Sequence, residues 1–218
     1  MTEKKQKERI AAVDAELARL YPDALCALEY GGEPWRLLVM ARLSAQCTDA
    51  RVNIVSRELF ARFPTLSALA DAPLEEIEDI VRPCGLFRTK AQSIKDACRI
   101  VRDEFDSRVP DEMDALLSLP GVGRKIANLL LGDVYGKGGI VADTHCIRIC
   151  GRLGFYPTEL KDPYKVEKIL STLLPTERQS DFCHRIVQFG RDVCIARKPL
   201  CASCPLQSLC EFNSVSKN

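Results

Sequence analysis

The stretch LPGVGRKIANLLL, residues 119–131, holds two glycines one residue apart, followed closely by a lysine. A phosphate-binding P-loop needs a glycine, four residues and then Gly-Lys-Ser/Thr, whereas a dinucleotide-binding turn needs G-x-G-x-x-G/A after a strand. Gly121 and Gly123 stand too close together for a P-loop, and Ile126 occupies the Ser/Thr position. For a dinucleotide turn the third small residue, Ala127, comes one place late. The stretch therefore fits neither kind of nucleotide-binding loop.

The same stretch predicts two helices joined by a tight hairpin. The preceding segment DEMDALLSL, residues 111–119, spaces its apolar residues as a helix does and not as a strand does. Pro120 should end this helix, because the residue before a proline is disfavoured in the α region. Both glycines permit the positive φ of a compressed turn, and we expect the second helix to begin near Arg124. Its inward-facing residues would be Ile126, Ala127, Leu130 and Leu131.

The predicted hairpin is a candidate anion-binding surface. Its backbone N–H groups and the positive end of the second helix are expected to face outward together, which favours an anion. Because no side chain there selects a base, a backbone phosphate of DNA is the ligand that fits best. The contacting residues would be Gly121, Val122, Gly123 and Arg124. Taken alone, P-G-V-G would instead indicate an ordinary corner between two helices.

The composition is that of an ordinary soluble protein. The 218-residue chain carries 31 basic and 30 acidic residues, and 46% of its residues are hydrophobic. This balance excludes a polycation that coats nucleic acid indiscriminately, so DNA binding would need a localised surface. No apolar run approaches a membrane span, and the amino terminus MTEKKQKERI lacks the apolar core of a signal peptide. We expect a cytoplasmic protein with no membrane partner, built as one large domain or two small ones.

Eleven cysteines, an odd number, indicate reduced thiols in a chain of this kind. Seven are scattered through apolar helical segments, where a free cysteine often acts as a small core residue. These are Cys26, Cys47, Cys84, Cys98, Cys146, Cys150 and Cys183. The other four, Cys194, Cys201, Cys204 and Cys210, crowd into CIARKPLCASCPLQSLC with the spacing C-x6-C-x2-C-x5-C. Such density predicts a metal centre and not four unrelated core residues.

Four thiolates can hold either a zinc ion or a [4Fe–4S] cluster, so the number of ligands does not decide between them. Zinc ribbons usually present two C-x2-C pairs, whereas only Cys201 and Cys204 form such a pair here. The wide, uneven spacing favours the larger cluster. The first loop of the segment would direct Arg197 and Lys198 toward a phosphate backbone, with Arg191 just before it.

Helical patterns run through the whole chain and predict an all-α fold. GGIVAD, residues 138–143, is the best candidate for a strand and is too short. Asp71 and Asp162, each followed by a proline at a first-turn position, are predicted helix N-caps. CGLFRTKA, residues 84–91, resembles PGVGRKIA and hints at a second, degenerate hairpin.

Several motifs together resemble the endonuclease III family of bacterial DNA glycosylases and lyases, within the helix-hairpin-helix superfamily. LPGVGRKIAN, VADTH at 141–145 and the four-cysteine segment carry the resemblance, and LSAQCTD at 43–49 and CGLFRTKA extend it over nearly the whole chain. The resemblance implies two helical domains flanking a DNA-binding cleft. Residues 27–137 would form a six-helix barrel that contains the hairpin. Residues 1–26 with 138–218 would form the domain that carries a [4Fe–4S] cluster.

The resemblance also implies the catalytic residues. The family's nucleophile is the lysine after G-x-G-R, which is Lys125 here, and its catalytic aspartate matches Asp143 in VADTH. A lysine amine can attack the sugar C1′, displace a damaged base and leave a Schiff base that permits strand cleavage by β-elimination. Asp143 also stands where a helix N-cap is expected, and the two roles can coexist.

A damaged base must leave the helical stack before an amine can reach C1′. In this family a glutamine and an aliphatic residue fill the gap, and the matching positions are Gln46 and Leu86. Core packing is the alternative for Leu86. The family usually has other residues at Cys47 and Cys84 and a valine at Ala142, which leaves the shape of the base pocket open.

The resemblance thus predicts a monomeric enzyme of base excision repair, associated with the nucleoid of a bacterial-type cytoplasm. Its substrate would be double-stranded DNA containing damaged pyrimidines or abasic sites. One alternative is a mismatch-specific glycosylase for adenine or thymine. The adenine enzyme lacks the lysine nucleophile and usually has a further carboxy-terminal domain. The other alternative is a non-catalytic DNA-binding iron–sulfur protein. Lys125 and Asp143 occurring together favour the bifunctional enzyme.

Overall fold

The computed structural model of the protein describes residues 2–212, and within them it is helical, with no β-strand. The all-α prediction is confirmed. The helices are α1 (Glu3–Leu20), α2 (Pro34–Leu43), α3 (Asp49–Arg62), α4 (Leu66–Asp71), α5 (Leu74–Val81), α6 (Phe87–Glu104), α7 (Met113–Ser118), α8 (Arg124–Asp133), α9 (Thr144–Leu153), α10 (Pro163–Leu173) and α11 (Gln179–Asp192). Among the described residues, no helix is both long and apolar enough to cross a membrane.

The chain divides into two compact units. The hairpin unit is Cys26–Tyr135, and the terminal unit combines Met1–Leu25 with Gly136–Asn218. The boundary expected from the resemblance, 27–137, differs from this division by one residue at its start and two at its end.

The hairpin unit contains seven α-helices, α2 to α8, where the resemblance implied six. Two of them, α4 and α7, are only six residues long. Pro73 separates α4 from α5, because a proline pushes the residue before it out of the α region, and Ala72 has φ −57° and ψ 144°. The core of the unit is apolar, with Trp35 edge-on to Phe60 at 5.2 Å between ring centroids. Its fully buried side chains include Leu37, Leu43, Leu59, Leu69, Ile77 and Leu130.

In the terminal unit, α1 packs against α10 and α11, so the amino-terminal helix shares a core with the carboxy-terminal part of the chain. The buried side of α1 includes Asp14, which is 5% exposed. Its carboxylate accepts hydrogen bonds from Arg178 Nε at 2.8 Å and from Arg185 Nη1 at 3.4 Å. Because a buried charge is costly without partners, this ion pair fixes α1 to the segment that includes α11.

The two predicted aspartate caps had different outcomes. Asp162 caps α10, since its Oδ1 accepts two first-turn N–H groups at 2.9 and 3.1 Å. The prediction for Asp71 was wrong, because Asp71 is the last residue of α4 and its carboxylate pairs with Arg102 at 2.6 Å. Helix α5 begins only after Pro73, which leaves Asp71 outside the capping position.

The scattered cysteines mostly pack in the core, as predicted. Cys84, Cys98, Cys146, Cys150 and Cys183 are buried, and Cys26 and Cys47 are half-buried. Burial raises the pKa of Cys98 to about 12. These thiols therefore serve as small apolar side chains.

Candidate functional site

Residues 119–131 form the predicted helix–hairpin–helix. Leu119 leaves α7 in an extended conformation, with ψ 134°, as expected before a proline, and α8 begins at Arg124. Gly121 has φ +78°, a left-handed value that favours glycine. Gly123 does not use the conformational freedom of glycine: it is the N-cap of α8 with φ −101° and ψ 175°, an extended backbone that any residue adopts. Backbone conformation thus requires only the first of the two glycines.

The hairpin presents fewer outward N–H groups than the sequence predicted. The N–H of Val122 donates to Leu119 O at 3.1 Å, and the Val122 side chain is buried. Val122 thus anchors the hairpin through its side chain and its N–H, and its contact with an anion stays a prediction. Gly121 and Gly123 are exposed. The first N–H groups of α8 have no acceptor within the helix, so Gly121, Gly123 and Arg124 remain candidates for contact with an anion.

Arg42, on α2, lies against the hairpin, and no sequence motif marks it. A Cβ atom built on Gly121 would come within 2.8 Å of Arg42 Cδ and 3.0 Å of Ser93 Cβ. Arg42 Nε donates to Ser93 Oγ at 2.8 Å, which holds the guanidinium against α6. Close approach of a neighbouring side chain is therefore a second reason for glycine at position 121.

Lys125 is exposed and is the second residue of α8. Two of the predicted inward-facing residues of this helix, Ala127 and Leu130, are fully buried, and Ile126 is half-buried. The packed face holds α8 in place, so the Lys125 side chain projects from a rigid element. A primary amine in this position can serve as a nucleophile or as a phosphate ligand.

Gln46 and Leu86 share a rare backbone conformation. Gln46 has φ +55° in the turn between α2 and α3, and Leu86 has φ +48° immediately before α6. Left-handed conformations at residues other than glycine are strained and are often found at ligand-binding sites. Leu86 is 60% exposed, so the core-packing alternative was wrong. Gly85, with φ +69°, occupies the position that Gly121 has in the first hairpin, but Leu86 also has a positive φ whereas Val122 does not, so the second, degenerate hairpin stays a prediction.

Asp143 is the N-cap of α9, as predicted. Its Oδ1 accepts the N–H of Cys146 at 2.7 Å. The half-buried carboxylate is thereby fixed in direction by the helix that it caps. Asp143 belongs to the terminal unit, whereas Lys125 belongs to the hairpin unit.

All four cysteines of the carboxy-terminal segment line one cavity. It has about 360 Å³ of empty space, part of it open to solvent, and apolar walls that include Ile149, Phe189 and Leu206. Burial raises the pKa of the Cys204 thiol, the N–H of Leu206 lowers it, and the other three cysteines raise it again. No three ligand-type side chains in residues 2–212 stand close enough together to hold one metal ion. Four soft donors spread around an apolar cavity fit an iron–sulfur cluster, in which each iron takes one cysteine.

Two arginines of α9 hold the first loop of the cysteine segment. Arg152 donates to Ile195 O at 2.9 Å and to Ala196 O at 2.7 Å. Arg148 donates to Cys194 O at 3.0 Å. The motifs gave no sign of these contacts, although two arginines four residues apart on a predicted helix place both side chains on one face.

The cations predicted to contact phosphate lie beside these anchored carbonyl groups. Arg197 and Lys198 follow directly in the same loop and are exposed. Arg191, in the last turn of α11, is exposed as well. The structure thus places all three in the loop or directly before it, as the sequence indicated.

Two family models define the class of protein to which these features belong. The model described as HhH-GPD superfamily base excision DNA repair protein matches residues 39–176, more than half of the chain. The model for the iron–sulfur binding domain of endonuclease III matches residues 194–210, from the first to the last cysteine of the segment. The hairpin and the cysteine segment are therefore those of a base excision DNA repair protein of the HhH-GPD superfamily.

Comparisons with individual proteins narrow this class to one family. Endonuclease III of Synechocystis sp. is 45% identical over 206 residues, which cover 94% of this chain and 93% of that protein. A solved non-covalent endonuclease III–DNA complex matches with a TM-score of 0.89 and 39% identity, covering 100% of this chain and 99% of that one. A trapped endonuclease III–DNA covalent intermediate matches with the same TM-score and identity and covers 100% of both chains. The chain belongs to the endonuclease III family.

The family match also identifies the cofactor. The cysteine segment is an iron–sulfur binding domain, and its cofactor is a [4Fe–4S] cluster. The cofactor prediction is confirmed.

Proposed function

We propose that this chain is a bifunctional DNA glycosylase and AP lyase that removes oxidised pyrimidines from double-stranded DNA and cleaves the strand at abasic sites. The observation that carries the proposal is the exposed amine of Lys125, placed by the hairpin at the start of α8. The trapped covalent DNA intermediate of a relative supports covalent chemistry. The HhH-GPD match supports base excision repair.

Lys125 is the nucleophile of the proposed reaction. Its neutral amine attacks C1′ of the damaged nucleotide, and the glycosidic bond breaks as the base leaves with the bonding electrons and takes up a proton. The sugar ring opens, and a Schiff base remains between Nζ and C1′. Removal of a C2′ proton then expels the 3′-phosphate by β-elimination. Hydrolysis of the imine returns the free amine.

Asp143 supplies the carboxylate that stabilises positive charge developing on the deoxyribose and takes part in proton transfer. Its hydrogen bond to the N–H of Cys146 supports this role, because the carboxylate is oriented before any substrate binds. A preorganised charge costs no reorganisation during the reaction.

Two sets of residues bind DNA in the proposed enzyme: one contacts backbone phosphates, and the other fills the gap that an extruded base leaves in the helical stack. Gly121, Gly123 and Arg124 of the hairpin, and Arg191, Arg197 and Lys198 near the cysteine segment, contact phosphates. These contacts position the duplex without reading its sequence. Gln46 and Leu86 fill the gap that an extruded base leaves. Their exposed positions on strained turns support this role.

Cys194, Cys201, Cys204 and Cys210 hold the [4Fe–4S] cluster in the proposed enzyme. When bound, the cluster would supply four iron–thiolate bonds that cross-link the segment. Arg197 and Lys198 lie between the first two of these cysteines, so the cross-link would fix their loop. The enzyme acts as a monomer on the DNA of the nucleoid.

Borohydride trapping tests the nucleophile. With a duplex that carries an abasic site, the unmodified protein should give a covalent adduct when borohydride reduces the Schiff base. Lys125→Gln keeps length and polarity but has no amine, so the adduct should vanish while binding to the duplex remains. Lys165→Gln, a change at an exposed lysine of α10, is the matched control and should leave the adduct intact.

The same assay separates the alternatives. An adduct that persists in Lys125→Gln would place the nucleophile elsewhere and overturn the assignment. Base removal without any trapped adduct would indicate a mismatch-type glycosylase without a lysine nucleophile. Binding with neither activity would indicate a non-catalytic DNA-binding protein. Duplexes carrying thymine glycol, dihydrouracil or a uracil mismatch would identify the preferred lesion.

A further inference from the structure

Lys90, on α6, is fully buried, and the mechanism proposed for Lys125 does not use it. Its Nζ donates to the main-chain carbonyls of Leu43 and Cys84, both at 2.8 Å. Burial lowers the pKa of Lys90, because desolvation disfavours the charged amine. A buried methionine would fill a similar volume without that cost. The lysine must therefore contribute something other than filled space.

The two acceptor carbonyls end two separate elements. Leu43 is the last residue of α2, just before the turn that contains Gln46. Cys84 is the last residue of a 3-10 turn, Arg82–Cys84, just before Leu86. Carbonyl groups at helix ends lack partners within the helix, and one ammonium group satisfies one carbonyl of each element. Lys90 thus connects the starts of the two strained turns.

Helix α6 also contacts the hairpin at residues 119–124, through Ser93, which lies one turn after Lys90. Ser93 Oγ donates to Lys90 O at 3.0 Å, and Arg42 Nε donates to Ser93 Oγ at 2.8 Å. The Arg42 side chain lies against Gly121. Hydrogen bonds of Lys90 and Ser93 on α6, together with the packing of Arg42 against Gly121, therefore join the Gln46 turn, the Leu86 turn and the hairpin, all within the hairpin unit.

We propose that Lys90 is a positioning residue that sets the placement of the Gln46 and Leu86 turns relative to each other, and thereby the filling of the gap left by an extruded base. The inference rests on the proposed function, because gap filling matters only for an enzyme that extrudes a base. Left-handed residues persist only where the surroundings enforce them. Without the Lys90 bridge, both turns are free to relax, and the two side chains no longer enter the stack together.

Lys90→Met is the primary test, because methionine fills the cavity and removes both hydrogen bonds. A duplex with 2-aminopurine opposite a stable tetrahydrofuran abasic analogue reports gap filling without catalysis. The unmodified protein should change the 2-aminopurine fluorescence on binding, and Lys90→Met should bind the duplex but lose most of that change. Single-turnover removal of thymine glycol should fall on the order of 10- to 100-fold. Borohydride trapping on a single-stranded abasic oligonucleotide, which has no gap to fill, should be unchanged.

A second comparison separates positioning from a general loss of structure. In the Gln46→Ala/Leu86→Ala variant, the side chains that the Lys90 hydrogen bonds are proposed to position are absent. Adding Lys90→Met to this variant should therefore cause little further loss of glycosylase rate. Independent effects would instead multiply. Lys90→Gln can donate to one carbonyl and should give an intermediate result, which provides a graded readout should Lys90→Met fail to fold.

Several outcomes would overturn the inference. These are an unchanged fluorescence response in Lys90→Met, multiplicative losses in the triple variant, or equal losses on duplex and single-stranded abasic substrates. If the unmodified protein shows the fluorescence response but gives no borohydride adduct, the proposed lyase chemistry is contradicted, whereas loss of that response in Lys90→Met would still support the positioning role of Lys90.

Discussion

Asp143 Oδ1 lies 2.7 Å from the backbone nitrogen of Cys146, and this hydrogen bond caps α9. The same helix carries Arg148 and Arg152, whose guanidinium groups hold the carbonyls of the loop that begins at Cys194. The proposed catalytic carboxylate and the cation-bearing loop therefore depend on one helix. Their roles can be separated by substitutions that alter only one of them.

Asp143→Asn should preserve the cap and remove the charge. An asparagine oxygen still accepts the N–H of Cys146, so the thermal midpoint should stay near that of the unmodified protein. Base removal should slow strongly, because the developing charge on the sugar loses its counterion. Trapping on an abasic duplex should fall less, since the base has already left. Asp143→Ala, which also loses the cap, should destabilise the protein by about 1 kcal/mol. Equal losses of both activities in Asp143→Asn would contradict this division of roles.

Gly121→Ser and Gly123→Ser are the same change at two glycines with opposite requirements. At Gly121 the left-handed φ and the contact with Arg42 should make serine destabilising by at least about 1 kcal/mol. At Gly123 the backbone is extended, no atom lies within 4 Å of an added Cβ, and serine is a good N-cap, so stability should be kept. Chemical denaturation measures the free energy of unfolding of both variants. DNA affinity of Gly121→Ser should fall similarly for damaged and undamaged duplex, whereas a loss confined to damaged DNA would mean that the hairpin reads the lesion.

Arg152→Gln should loosen the loop that carries Arg197 and Lys198, because two anchored carbonyls lose their donor. Affinity should weaken for damaged and undamaged duplex alike, with little effect on the rate of chemistry at saturating protein. Arg197→Gln is the direct comparison and should lower the slope of log affinity against log salt by about 0.9. A change in that slope for Lys165→Gln as large as for Arg197→Gln would show that net charge, and not the loop, is responsible.

Cys204→Ser should lower the iron content, because the cluster loses one of its four proposed ligands. The unmodified protein, purified without air, should contain about four irons per chain. DNA affinity should fall in Cys204→Ser before the chemical step is affected, since the segment loses its cross-link. Cys26→Ser changes a half-buried cysteine of the hairpin unit and should keep the iron. Stoichiometric zinc without iron would contradict the assignment.

Asp14→Ala should destabilise the terminal unit by about 3 kcal/mol, because it leaves the nearly buried Arg185 without its buried partner. Asp181→Ala removes the other carboxylate that contacts Arg185, at a side chain that is 51% exposed. Asp181→Ala should lower the free energy of unfolding by less than about 1 kcal/mol. Equal effects of the two substitutions in urea denaturation would show that burial does not govern this ion pair.

Structural features that involve only residues close together in the chain were predictable from the sequence by itself. The proline and glycine of the hairpin end one helix and turn the backbone, and the start of α8 at Arg124 follows from them. The same holds for the caps at Asp143 and Asp162, whose acceptors and donors are two or three residues apart. Four cysteines within residues 194–210 likewise predict a metal centre, because one short segment supplies all four candidate ligands. Each of these interactions closes within a few residues, so neighbouring positions suffice to specify it.

Other features were decided only by tertiary packing. The sequence left core packing open as an alternative for Leu86, and only the turn before α6, which exposes the side chain, decided against it. Lys90 and Arg42 look like ordinary helical cations, but their partners lie on other elements, at Leu43 and against Gly121. The ion pair of Asp14 joins residues 171 positions apart. Such contacts depend on which helix faces pack together, and that choice minimises exposed apolar area over a whole unit, so no local pattern encodes it.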